Sequence, residues 1–233
     1  MDESGERLRA EIPCTMRIPF SAVVFDMDGL MFDTEPMARR AWELALAESG
    51  HALDESVFFR MVGRTRPAVR EILLGAYGPD LPIDALSVRV RSLLEEAFER
   101  QGVPIKPGLL ELLDALESAR IPVAVASSTF RDVVFDRLRR AGLSSRFRAV
   151  VGGDEVSRGK PAPDLFLEAC RRLVVPPGEC VVLEDSEPGI RGAHAAGAVP
   201  IMVPDLVPPS DEVRAMAHRV FPSLLDVLTF LGL

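Results

Sequence analysis

Five short apolar runs constrain this chain more than any other feature. They are Ser21–Phe25, Val123–Ala126, Ala149–Val151, Cys180–Leu183 and Val199–Val203. Each is rich in β-branched residues and too short for a helix, as strands buried on both faces are. Between and after them the pattern is helical, over Leu109–Ala119, Arg131–Ala141, Asp164–Leu173, Glu187–Ala196 and Pro222–Leu231, with Gly142 and Gly197 closing two of these stretches. Apolar strands alternating with helices imply a parallel sheet covered on both faces. The expected fold class is α/β with a doubly wound parallel-sheet core.

The alternation is interrupted once. From Glu35 to Gln101 the pattern is helix only: Pro36 in a first turn with Ala38–Ser49, then Glu55–Met61, Pro67–Tyr77 and Ile83–Arg100. Breaks fall at Gly63, at Gly78-Pro-Asp and at Gln101-Gly. This predicts an inserted all-helical cap over residues 35–102, within a core formed by residues 18–34 and 103–233. Residues 1–17 are expected to be a loose polar tail, in which Met16 is an alternative start.

Composition excludes several classes. The 233 residues carry 27 Lys+Arg against 35 Asp+Glu, a formal charge of −8 that disfavours wholesale binding to nucleic acid or anionic membrane. No apolar run approaches the ~18 residues of a membrane span, and the charged start does not resemble a signal peptide. Cys14, Cys170 and Cys180 are odd in number and show no CxxC spacing, so reduced thiols in a cytoplasmic protein are expected. No long apolar surface stripe is evident, so the expectation is a monomer. His51, His194 and His218 are scattered and read as structural.

In a doubly wound sheet, ligands bind outside the carboxyl ends of the strands. Asp26 and Asp28 follow the first run, and Ser127, Ser128 and Thr129 follow the second. Asp154 and then Lys160 follow the third, and Glu184 and Asp185 lie at the fourth. Turns and helix caps also use Asp and Ser, so each piece alone is weak; their convergence carries the inference. Hard oxygen donors with no His or Cys beside them suit Mg²⁺. Lys160 stands out because 25 of the 27 basic residues are Arg, leaving lysine only at positions 106 and 160. A compact ammonium can meet a phosphoryl oxygen and an aspartate together.

These residues resemble the signatures of the haloacid dehalogenase superfamily. Asp26-Met-Asp-Gly-Leu-Met-Phe-Asp-Thr-Glu35 is similar to the first signature and Ser127 to the second. Gly159-Lys-Pro-Ala-Pro-Asp164 is similar to the third, and Glu184-Asp-Ser-Glu-Pro-Gly189 to the fourth. The helical insert resembles the small cap of the subfamily holding β-phosphoglucomutase and many sugar phosphatases. The resemblance implies that Asp26 is a nucleophile, Asp28 a general acid/base, and Ser127 and Lys160 phosphate-binding residues. It further implies Mg²⁺ held by Asp26, the Asp28 carbonyl and Asp185, with Glu184 assisting directly or through water. An Asp at position 28 separates the chain from the dehalogenase branch, which lacks that residue and the metal.

The cap is expected to choose the substrate, a small phosphorylated metabolite, through Arg64 and Arg66, whose guanidinium forks suit carboxylate or phosphate. The resemblance makes Arg66 the far-phosphate contact of a mutase. Against a phosphomutase, the cap histidine of that branch would fall near Ala38. A non-enzymatic, receiver-like phospho-acceptor also gathers Asp, Ser/Thr and Lys at strand ends. It needs only ~120 residues and no insert, so length disfavours it. The expected activity is Mg²⁺-dependent phosphate-ester hydrolysis through an aspartyl-phosphate.

Overall fold

The computed structural model describes residues 19–233, apart from residues 63 and 65 and the side chain of Arg66. The expected tail with Met16 and Cys14, Gly63 and the Arg66 side chain lie outside the described residues.

One six-stranded sheet organises the chain: β1 (Ala22–Phe25), β2 (Val123–Ala126), β3 (Ala149–Val151), β4 (Cys180–Glu184), β5 (Val199–Met202) and β6 (Arg219–Val220). Its order is β3-β2-β1-β4-β5-β6 and every neighbouring pair is parallel. Winding therefore reverses between β1 and β4, which is where such sheets open a crevice at their carboxyl ends. Ten helices accompany it among the described residues: α1 (Glu35–Glu48), α2 (Glu55–Met61), α3 (Arg66–Tyr77), α4 (Ile83–Gln101), α5 (Leu109–Ser118), α6 (Arg131–Arg140), α7 (Asp164–Leu173), α8 (Glu187–Ala195), α9 (Asp211–Met216) and α10 (Leu224–Leu231).

The sequence pattern did not disclose β6 or α9. β6 has two residues and α9 six, too few for either hydrophobic period to register. At the last helix the chain starts later than Pro222. Ser223 caps it by accepting from the Asp226 N–H, so the first helical residue is Leu224.

Strand side chains alternate between the two faces. Val23, Phe25, Val123, Val125, Val181 and Leu183 point into one core, closed by leucines of α5, α6 and α10. Ala22, Val24, Ala124, Ala126, Cys180 and Val182 point into the other, closed mainly by α7. On that second face most strand side chains are small, and Leu165, Phe166 and Leu173 of α7 supply the volume.

α1 to α4 bury a cluster of their own, including Ala45, Leu46, Val57, Leu73, Leu86 and Val90, separate from both sheet cores. Two segments link these helices to the sheet, and they run side by side. The Asp33 N–H donates to Pro104 O (3.0 Å), the Lys106 N–H donates to Met31 O (2.9 Å), and Phe32 and Ile105 form an antiparallel bridge. No helix of the described residues is long and apolar enough to cross a membrane.

Phe166 is fully buried, and its ring lies 5.1 Å below the Lys160 ammonium. Phe166→Ala is expected to cost about 3–5 kcal/mol of unfolding free energy. Urea denaturation checks this.

Candidate active site

Parallel pairing brings the ends of β1 and β4 together, and a buried ion triad spans them. The Asp26 N–H donates to Leu183 O (3.0 Å), which registers the first acid beside β4. The Lys160 ammonium donates to Asp26 Oδ1 and to Glu184 Oε1. All three groups are buried. Burial alone would lower the lysine, but the two carboxylates outweigh it and hold the ammonium well above its ordinary range. Burial pushes the Asp26 carboxyl up to about 7; Lys160 opposes the shift, and Glu184 and Asp28 add to it. Glu184 Oε2 is engaged as well. It accepts from the N–H groups of Asp185 and Ser186 (both 3.1 Å) and from Ser186 Oγ (2.9 Å).

Asp185 adds a further carboxylate. Asp26, Glu184 and Asp185 each offer an oxygen within 4.8 Å of the others. Burial, then Glu184 and Asp26, push the Asp185 carboxyl well above the usual carboxylate range. One ammonium does not neutralise three converging acids, so the site has the charge and donor set of a hard divalent cation. A second sign of missing positive charge is Asp205, which pairs with Lys106 through Oδ1 (2.5 Å) while its buried Oδ2 has no partner among the described residues. Gly29 keeps this space open. Its φ is +86°, and a Cβ there would sit 2.3 Å from Asp185 Oδ2 and 3.4 Å from Asp205 Oδ2.

Asp28 stands at the edge of the triad and is held by groups that the sequence reading did not assign. Thr34 Oγ1 donates to its Oδ1 and Thr129 Oγ1 to its Oδ2, both at 3.2 Å, and the Arg137 guanidinium pairs with Oδ1. Ser127 is buried at the end of β2, and its Oγ accepts from the Thr129 N–H (3.1 Å). Arg137 lies in the last turn of α6 with Arg139 and Arg140, where basic residues read as ordinary helix-end charges. Thr34 sits at the cap position of α1, where a hydroxyl reads as a helix cap. Lys106 shares the rarity that singled out Lys160, so that signal was available for it. Asp154 accepts from the Arg131 N–H (2.7 Å) at the start of α6.

A cleft of about 820 Å³ runs from Asp28, Thr34 and Arg137 into the helices of the insert. Arg64 lines it and is exposed; Arg66 opens α3. Ala38 lines it too, as does Glu35. Burial, then Asp28 and Asp205, raise the Glu35 carboxyl to about 7.

Two expectations follow from this geometry. A carboxyl raised in the folded state destabilises the fold once pH exceeds its unfolded value near 4.5, and the full penalty stands above pH 7. Glu35→Gln is therefore expected to leave Tm unchanged at pH 4 and to raise it by several degrees at pH 8, read by thermal melts in EDTA. Gly29→Ala is expected to lose about 1–2 kcal/mol to the left-handed backbone, and more to the Asp185 clash. Melts with and without Mg²⁺ should show less cation-induced stabilisation in the variant.

The comparisons agree with this layout. The family model for haloacid dehalogenase-like hydrolases matches residues 20–197. A bifunctional riboflavin kinase/FMN phosphatase of Arabidopsis thaliana is 32% identical over 208 residues, covering 89% of this chain. The chain spans only about half (54%) of that relative's length. A phosphorylated carbohydrates phosphatase of Thermotoga maritima is 35% identical over 176 residues, 76% of this chain and 81% of the relative. Among solved structures, CbbY from Rhodobacter sphaeroides in complex with phosphate superposes with a TM-score of 0.77 at 28% identity, covering 92% of this chain and 100% of that one. With its signatures gathered at the switch point of the sheet and most of its length matched, the chain belongs to the haloacid dehalogenase-like hydrolases.

Proposed function

We propose that the protein is a Mg²⁺-dependent phosphatase that hydrolyses a small, sugar-phosphate-like ester through an aspartyl-phosphate. The observation that carries this reading is the Lys160 ammonium bridging Asp26 and Glu184, with the Asp185 carboxylate beside them. Such a site pairs an acid positioned to attack with the positive charge that lets an anion approach. The phosphatase names of two relatives support the activity, and the phosphorylated carbohydrates phosphatase supports the substrate class.

Asp26, Asp185 and the Asp28 carbonyl would hold Mg²⁺, with Glu184 assisting chiefly by orienting Lys160, since both its oxygens already accept hydrogen bonds. When bound, the cation supplies charge that offsets repulsion between phosphate and carboxylate. An Asp26 oxygen attacks phosphorus, and the bond from phosphorus to the ester oxygen breaks. Asp28 gives its proton to the departing alkoxide. A water then attacks the aspartyl-phosphate and passes its proton to Asp28, so inorganic phosphate leaves and both acids are restored. Lys160 and the Ser127 hydroxyl steady the phosphoryl oxygens, while Thr34, Thr129 and Arg137 keep Asp28 in place. Ala38 has no proton to offer the cleft, which favours hydrolysis over a phosphomutase.

Wild-type protein with Mg²⁺ is expected to release phosphate from small esters, and EDTA to abolish release. Asp26→Asn should form no phospho-enzyme. Asp28→Asn should form it from p-nitrophenyl phosphate, whose leaving group needs no proton, and hydrolyse it about 10²–10⁴-fold more slowly. Equal trapping of phospho-enzyme in the two variants would refute the roles.

A further inference from the structure

The cleft beside Asp28 describes the rest of the substrate. Its volume, about 820 Å³, lies high in the ~300–1,000 Å³ range of sites that enclose drug-sized ligands. Eleven of its twenty described lining residues are apolar; Trp42, Val62, Val69, Val88 and Leu94 among them keep exposed surface, while Phe58, Met61 and Phe98 are buried. Three carry a neutral hydrogen-bonding group, Thr34, Ser87 and the Trp42 indole N–H, and the Thr34 hydroxyl already donates to Asp28; of the seven charged ones, Asp28 pairs with Arg137 and Asp84 with Arg70. A bare sugar buries several hydroxyls, and each one left without a partner loses free energy. With those pairs engaged, the walls leave such hydroxyls Ser87, the Trp42 N–H and the charged groups of Glu35, Arg64 and Arg91. They offer instead an apolar surface, with the exposed guanidinium groups of Arg64 and Arg91 on the lining; Arg64 also lies in the field of the Glu187 carboxylate. Guanidinium planes stack on flat rings as well as pair with anions.

We infer that the physiological ester carries, beyond the group that bears its phosphate, a flat apolar body of ring size or larger, seated in the insert against Trp42. This rests on the phosphatase reading for the position of the phosphate, and it narrows the substrate from sugar phosphates in general to those extended by such a body.

Three primary alkyl esters with similar leaving groups isolate the body: 2-(4-nitrophenyl)ethyl phosphate, ethyl phosphate and glucose 6-phosphate. Trp42 is the chain's single tryptophan, so its fluorescence reports occupancy of the cleft without any turnover. With full-length Asp26→Asn protein and Mg²⁺, the nitrophenyl ester should quench Trp42 saturably. It should bind at least tenfold more tightly than the other two by calorimetry. With wild-type protein its kcat/KM should exceed both by at least tenfold. Equal or better kcat/KM for glucose 6-phosphate, or binding of the nitrophenyl ester without quenching, overturns the inference and leaves the phosphatase standing. Tight, quenching binding with no phosphate released from any ester supports the apolar body and overturns the phosphatase instead.

Discussion

A buried ammonium between two buried carboxylates is the interaction on which the remainder of this structure depends. Lys160 reaches back to the ends of β1 and β4 at once, so the loop before α7 is tied to both strands. Removing the lysine would leave Asp26 and Glu184 buried together as like charges, and breaking one partner of such a group typically costs about 3–5 kcal/mol. The effect spreads into the sequence nearby. Gly189 lies inside α8, where glycine costs about 1 kcal/mol against alanine. A Cβ there would fall 1.9 Å from the Glu184 carboxyl carbon, so the glycine follows from the triad and not from the helix.

Local rules give way around this centre. Ser186 follows its rule: it caps α8 by accepting from the Gly189 N–H (3.2 Å), and its hydroxyl also donates to Glu184. Thr34 does not. It holds the cap position of α1, yet no side-chain cap bond forms there and its hydroxyl turns to Asp28. A helix that gives up its cap for a carboxylate has traded local stability for the position of an acid.

The same contrast explains what the sequence disclosed. Strands buried on both faces are continuous apolar runs, so β1 to β5 were legible within a residue or so, and the acids, Ser127 and Lys160 that follow them came with the strands. β6 was not legible, because two residues at a sheet edge have no period. Asp26, Glu184 and Asp185 meet because each sits at or just past a strand end, and Lys160 joins them from the loop before α7. Arg137 meets Asp28 across 109 residues from the far end of α6, and only the packing of that helix determines the contact. Glu35 entered the sequence pattern only as the start of the helical insert, and its altered proton affinity arises from burial and from neighbours that tertiary structure supplies.

The paired segments around Phe32 and Ile105 close the mouth of the helical insert, and that has a consequence for how the chain tolerates change. To the sheet, everything between the two crossings is a single loop whose ends are already fastened together. The entropy of closing a flexible loop grows only logarithmically, about 0.6 kcal/mol for each doubling of length. The insert can therefore lengthen, shorten or exchange helices while the strands register on each other as before. The helical insert and the sheet that carries the acids and Lys160 are thus parts of the chain free to diverge at different rates.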